Sequence, residues 1–186
     1  MRSDHDTPPL QMHDEYGAPL ETAGSGTGRR PHSTSVPEYT GSMEKQATYD
    51  DVNLILKLYD MRREEKLREA RKWFGKFKAK TLAEREALCS PGSDQDAYFR
   101  MVVTYWEMVA SFITAGVLTP ELFFQSGNEL LFVWEKVRDF LPEWRTVANN
   151  PKMLANMETV AKQAIDFMNR GNASAYETWS ARVRGM

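Results

Sequence analysis

The stretch that most constrains how this chain folds is the long apolar run at residues 97–113. At about 100° per residue, its apolar side chains fall on one broad helical face: Tyr98, Met101, Val102, Tyr105, Trp106, Val109, Phe112 and Ile113. The opposite face is narrow and polar, with Arg100, Thr104, Glu107 and Ser111. A helix with so wide an apolar face packs against neighbours on more than one side. The pattern therefore predicts the central helix of an all-α domain.

The same region is long enough to be tested as a membrane span. Residues 99–118 reach the length of about 20 residues that a bilayer requires. They contain Arg100 and Glu107, and an acidic side chain at mid-membrane costs about 2.5–3.5 kcal/mol on insertion scales. The polar residues also line one side of the helix, as in a soluble core helix. We predict no membrane span.

Residues 1–45 differ in composition from the rest of the chain. They are rich in Pro, Gly, Ser and Thr and lack apolar periodicity, so they bury too little apolar surface to offset their ordering entropy. We expect a disordered tail at 1–45 and a helical bundle domain at 46–186. Two other interpretations stay open: a leader added for expression, or sequence upstream of a natural start at Met43. No function is assigned to this segment.

Charge and cysteine content bear on the compartment. The formal net charge of −2 gives no global field that would attract nucleic acid or an anionic membrane. The single cysteine, Cys89, cannot form an intramolecular disulfide, which favours a reducing compartment. The acidic N-terminus has no apolar run of the kind found in signal peptides. We predict a cytoplasmic protein.

Cap and turn signals divide residues 46–186 into an irregular bundle of about six helices. The first helix is expected from Thr48 or Asp50 to about Phe77, and Thr81 and Glu84 form a capping box that opens a short helix. Further starts or stops are predicted at Ser93, Gly116, Pro120, Gly127, Asn128, Asn150–Pro151, Gly171 and Asn172. The predicted core stripes include Val52, Ile55, Leu58 and Met61 in the first helix and Leu130, Trp134, Val137 and Leu141 in a later one.

Several short motifs together resemble a family of small bacterial helical proteins. The motifs are Ala97–Arg100, Tyr105-Trp106-Glu107, Gly116-Val117-Leu118, Glu121–Phe124 and Val133-Trp134. The resemblance covers roughly residues 49–150. The family is named only as a domain of unknown function, so the resemblance implies a helical fold and no activity.

The predicted helical region lacks the side chains that most catalytic sites use. All three histidines lie in the tail, at His5, His13 and His32, so nucleophile–histidine pairs and imidazole metal ligands are not available in the bundle. Cys89 has no evident base nearby in sequence, and we expect it to be structural. We predict no catalytic residues, no metal site and no cofactor, and we favour binding over catalysis.

Carboxylate chemistry is the catalytic alternative that remains. On the helical wheel Glu107 and Glu135 face away from their apolar stripes, so both are expected to be exposed. Arg100 and Glu107 share one narrow stripe, which forms either a solvated edge or a polar groove against another helix or a partner. An enzyme or small-ligand binder built on carboxylates therefore stays open.

Residues 62–80 carry nine basic and three acidic side chains. The basic patch that we single out comprises Arg62, Arg63, Arg68, Arg71, Lys72 and Lys76. Basic residues among aromatic ones suit a nucleic-acid or anionic surface. They also suit an amphipathic surface helix whose last turn complements the helix dipole, which is the interpretation that we favour.

Phe132 lies on the opposite side of its predicted helix from Trp134 and Val137. An apolar residue out of phase indicates a second contact surface, against either another helix or a second subunit. We therefore favour a protein–protein interaction or self-assembly module whose candidate contact residues are Phe132, Arg100 and Glu107. Binding of nucleic acid or an anionic surface through the basic patch is the first alternative.

Overall fold

A computed structural model of the protein describes residues 46–185, and in that range it contains nine α-helices and no strand. They are α1 Tyr49–Met61, α2 Glu65–Lys76, α3 Leu82–Leu88, α4 Asp94–Thr114, α5 Pro120–Ser126, α6 Glu129–Val137, α7 Leu141–Val147, α8 Ala155–Asn169 and α9 Ala175–Gly185. The prediction of an all-α fold is confirmed, whereas the count of about six helices is too low. The predicted tail at 1–45 lies outside the described residues.

The predicted first helix is in fact two helices. α1 ends at Met61, and hydrogen bonds from the backbone N–H of Arg63 to the Asp60 carbonyl and from that of Glu64 to the Met61 carbonyl turn the chain. The carboxylate of Glu64 then accepts the backbone N–H of Leu67 at 2.8 Å and caps α2. In the sequence, the apolar stripe of residues 52–61 and that of residues 67–77 are out of phase with each other, which indicates this break.

The central position of α4 is confirmed. It packs against α2, α6 and α8, and its buried residues form one broad face of the helix. Phe99, which the wheel left off the apolar face, is fully buried, and its ring contacts the rings of Phe77, Phe140 and Trp144. Among the described helices none is both long and apolar enough to cross a membrane.

Most predicted helix boundaries are confirmed by their caps. The Thr81–Glu84 capping box opens α3, and the Ser93 hydroxyl accepts the Asp96 N–H at 3.1 Å at the start of α4. Gly116 follows the end of α4 with φ +70°, the left-handed conformation that favours glycine after a helix. Gly127 separates α5 from α6.

The predicted start of the next helix at Asn150–Pro151 is wrong. Residues 151–154 form a turn, Leu154 has φ 54°, and α8 begins at Ala155. The cause lies on another helix, because the carboxylate of Glu107 accepts the backbone N–H of Asn156 at 3.2 Å and that of Met157 at 2.8 Å. These are first-turn N–H groups that have no partner within the helix.

Candidate functional site

Several large apolar side chains of α1 lie on the surface. Tyr49 is 79% exposed, Leu56 57% and Val52 41%, while Leu58 of the same helix is buried. The predicted core stripe of α1 is therefore right for Leu58 and wrong for Val52 and Met61, both of which are exposed. Tyr49, Val52 and Leu56 form a second apolar stripe at spacings of three and four residues, which we did not predict from the sequence.

This stripe continues onto α5. Val52, Ile55 and Leu56 line one side of a shallow groove of about 220 Å³, and Leu122, Gln125 and Ser126 line the other. We call the exposed residues Tyr49, Val52 and Leu56, together with Ile55 and Leu122 of this groove, the α1–α5 surface. The tyrosine hydroxyl of Tyr59 donates to the Ser126 carbonyl at 2.6 Å and ties the two helices together beneath it.

The predicted contact residue Phe132 is half-buried. Its ring packs against the core, and the ammonium group of Lys136 lies 5.0 Å from the ring centroid. Lys136 also donates a hydrogen bond to the Phe77 carbonyl at 2.8 Å. Burial and the nearby charge of Lys78 lower the pKa of Lys136. The out-of-phase position of Phe132 thus corresponds to contacts within the bundle, and a contact with a partner stays a prediction.

Arg100 and Glu107 lie on the same stripe of α4, but their side chains make different contacts. The guanidinium of Arg100 is exposed and pairs with Asp96 at 3.0 Å, one helical turn away. Glu107 is half-buried and holds the first turn of α8. Of the two expected arrangements for Glu107, the groove against another helix is the one that the structure contains.

The predicted basic patch divides into largely buried and exposed members. Arg62 and Arg71 are largely buried and both pair with Glu129 of α6, Arg62 at 3.1 Å and Arg71 through two hydrogen bonds. The exposed members are Arg63, Arg68, Lys72 and Lys76. Arg63 lies 3.8 Å from Asp60.

One of the paired arginines, Arg62, lines a small cavity between α1, α4, α5 and α6. Its volume is about 20 Å³, and its lining includes Tyr59, Arg62, Trp106, Phe123 and Glu129. The guanidinium of Arg62 lies 4.3 Å from the ring centroid of Tyr59 and 5.6 Å from that of Trp106. These aromatic contacts hold the cation at the wall of the cavity.

Glu135 was predicted to be exposed, and this is wrong because α9 covers it. Its side chain is 0% exposed and lies within hydrogen-bonding distance of four partners. The partners are the Tyr176 hydroxyl, the Ser180 hydroxyl at 2.7 Å, and the guanidinium groups of Arg184 at 3.3 Å and Arg138 at 3.4 Å. Burial, with a smaller contribution from Glu135, raises the pKa of Tyr176 to about 12.

Glu135 also borders an open cleft of about 420 Å³ beside residues 77–80. Both oxygens of its carboxylate are already engaged, so the arrangement anchors α9 and leaves no oxygen for a substrate. Cys89 is fully buried, and burial raises the pKa of its thiol, in agreement with the structural role that we expected. No three Cys, Asp or Glu side chains of residues 46–185 are grouped as metal ligands would be.

These features define a class of protein: an all-α domain in which ion pairs of Glu129 and Glu135 join helices and α1 exposes a row of apolar side chains. Residues 47–184 match the family described as Domain of unknown function (DUF4760), and because this is most of the 186 residues the chain belongs to that family. The resemblance seen at 49–150 is thereby confirmed and extended. No curated protein and no solved structure matches the chain.

Proposed function

We propose that this domain is a self-assembly module that pairs with a second copy of itself through the α1–α5 surface. The observation that carries the proposal is the exposure of Tyr49, Val52 and Leu56 on one helix beside an apolar groove. Scattered exposed apolar residues are common on protein surfaces, but contiguous ones mark contact sites. Covering them contributes about 25 cal/mol for each Å² of apolar surface removed from water.

The distribution of charge on α1 favours a second copy as the occupant. Asp50 and Lys57 are seven residues apart, which places them on the same flank of the exposed face. If two α1 helices cross antiparallel near Leu54, Val52 of one copy faces Leu56 of the other. Lys57 of each copy then lies beside Asp50 of the other copy. In a parallel two-fold pair this flank of one helix lies on the opposite side of the contact from the same flank of the other, so Asp50 and Lys57 of the two copies would not meet.

Sedimentation equilibrium of the full chain tests this proposal. We expect the mass to rise from monomer to dimer with concentration, and Leu56→Lys to keep the chain monomeric because it places a charge in the apolar contact. Val147→Lys is the matched control, since Val147 is 68% exposed on α7, away from the proposed contact. A chain that stays monomeric at every concentration, or a dimer that Leu56→Lys leaves unchanged, overturns the proposal.

A charge exchange tests the antiparallel geometry. We expect Asp50→Lys and Lys57→Asp each to weaken the dimer, because each places like charges side by side. The double variant restores the opposite-sign pairs and should recover most of the lost affinity. Circular dichroism of each variant monitors whether α1 is intact. If the double variant is weaker than both single variants, the helices do not pair in this way.

Binding of an anionic surface is a second candidate function. Arg68, Lys72 and Lys76 are exposed and follow each other at spacings of four residues along α2. Such a row can neutralise phosphates, and log K would then fall with log salt concentration. Reversing these three charges should remove that salt dependence if the row binds an anionic polymer. An unchanged or absent salt slope would contradict this candidate.

The cellular location of the protein is also part of the proposal. A cytoplasmic location in a bacterium is our expectation, supported by the single buried cysteine, which suits a reducing compartment. We do not propose catalysis, because Glu107 and Glu135 are engaged in bonds that hold α8 and α9.

A further inference from the structure

The cavity between α1, α4, α5 and α6 is lined by Arg62 and Glu129, and Arg71, which lies outside the lining, adds a second positive charge beside Glu129. Arg62 and Arg71 both pair with Glu129, so two cations share one carboxylate. Their side chains are only 18% and 29% exposed. Within the described residues the ion pairs of these two arginines are with Glu129 alone. A buried charge that is not compensated is costly, so a further negative group is favourable here.

Two buried N–H donors in the lining of the cavity have no hydrogen-bond partner among residues 46–185. They are Nε of Arg62 and Nε1 of Trp106, and Trp106 is 3% exposed. Buried donors are nearly always paired in folded proteins. The hydroxyl protons nearby are used elsewhere, since Tyr59 donates to the Ser126 carbonyl and Tyr105 to the Leu58 carbonyl. Neither the Arg62 donor nor the Trp106 donor has an acceptor among residues 46–185, so an acceptor is what would complete the site.

We propose that this cavity binds one small monovalent anion, of the size of chloride or bromide. The volume of about 20 Å³ admits a ligand of about one atom, since roughly 10–15 Å³ by this measure holds a water molecule. A halide accepts hydrogen bonds from both the Arg62 and Trp106 donors and needs no donor partner itself. Its negative charge also offsets the second positive charge, because Arg62 and Arg71 share the single carboxylate of Glu129. Sulfate and phosphate are too large and are excluded by size.

Crystals of the full chain soaked in bromide provide the direct test. We expect an anomalous bromide peak in the cavity, within hydrogen-bonding distance of the Trp106 indole nitrogen. The melting temperature should rise saturably with chloride or bromide when ionic strength is held constant with gluconate, because a ligand that binds only the folded state stabilises it. A cavity with no bromide peak, together with equal melting temperatures in chloride and gluconate, overturns the proposal and assigns the site to water.

Fluorescence separates this site from other anion sites. Bromide bound beside Trp106 should quench a fraction of the emission of the five tryptophans saturably, whereas collisional quenching rises without saturation. Trp106→Phe removes both the fluorescent reporter and the indole N–H donor, so it should abolish the saturable phase of quenching. The bromide Kd, measured by thermal shift, should rise about tenfold, equivalent to about 1.4 kcal/mol. Trp179→Phe, on α9 and outside the cavity lining, is the control and should keep both effects. Saturable quenching that survives in Trp106→Phe contradicts the assignment.

Discussion

The carboxylate of Asp51 accepts the backbone N–H of Thr119 at 2.6 Å, and so joins the first turn of α1 to the start of α5. Its other oxygen accepts the backbone N–H of Thr48 at 2.8 Å and the Thr48 hydroxyl at 2.6 Å. Asp51 is 2% exposed. One buried acid therefore closes a capping box and holds together two helices that are far apart in sequence.

These bonds make stability depend on pH at the acidic end. Led by the Thr48 hydroxyl, they hold the pKa of Asp51 well below its ordinary value of 3.8. Because the pKa is lower in the folded state, the stabilisation is complete above pH 3.8 and is lost as the pH falls below that value. At pH 7 we expect Asp51→Asn to lower the free energy of unfolding by about 1–3 kcal/mol, measured by urea unfolding.

The same measurement at low pH separates this effect from a general loss of packing. We expect wild type and Asp51→Asn to converge in stability as the pH is lowered, because the carboxylate no longer contributes. Asp94→Asn, an exposed acid in the first turn of α4, should cost only about 0.3–1 kcal/mol. A difference between wild type and Asp51→Asn that stays constant from neutral to acidic pH would contradict the assignment.

Local signals in the sequence predicted the local parts of this structure. The Thr81–Glu84 box, the Ser93 cap and the glycines at 116 and 127 act within a few residues of themselves, and the structure has each of them where the pattern placed it. The broad apolar face of α4 likewise required neighbours on several sides, which α2, α6 and α8 supply. Helix boundaries that depend only on neighbouring residues can therefore be predicted from the sequence.

The errors arise where a distant helix decides the environment. The wheel placed Glu135 opposite the core face of α6, but α9 covers that side. The signal was in α9, whose Tyr176, Ser180 and Arg184 follow at spacings of four residues and all reach Glu135. The start of α8 was misplaced for the same reason, because Glu107 of α4 supplies its acceptor.

Removing the Glu107 carboxylate should loosen the start of α8. Glu107→Gln loses the negative charge at a helix N-terminus and weakens the bonds to the N–H groups of Asn156 and Met157. We expect a loss of about 1–2 kcal/mol in the free energy of unfolding and faster hydrogen exchange at these two amides. Glu86→Gln, an exposed acid on α3, is the matched control. Unchanged exchange at Asn156 and Met157 would show that Glu107 does not hold the helix.

Replacing the buried Glu135 should lower the free energy of unfolding by more than replacing Glu107, and the loss of structure should be more localised. Glu135→Gln keeps the volume but leaves Arg138 and Arg184 with Asp139 as their remaining acid. Breaking a buried ion pair from one side costs about 3–5 kcal/mol, so we expect a loss of this size in urea unfolding.

The damage should begin at α9, because the side chains of Tyr176, Ser180 and Arg184 hold that helix to Glu135. Amides of α9 should exchange faster in Glu135→Gln than those of α4, which keeps its contacts with α2 and α8. Asp139→Asn removes the exposed partner of Arg184 instead, and as a surface pair it should cost about 1 kcal/mol or less. If the two variants lose equal stability, or if exchange rises uniformly over the bundle, Glu135 does not anchor α9.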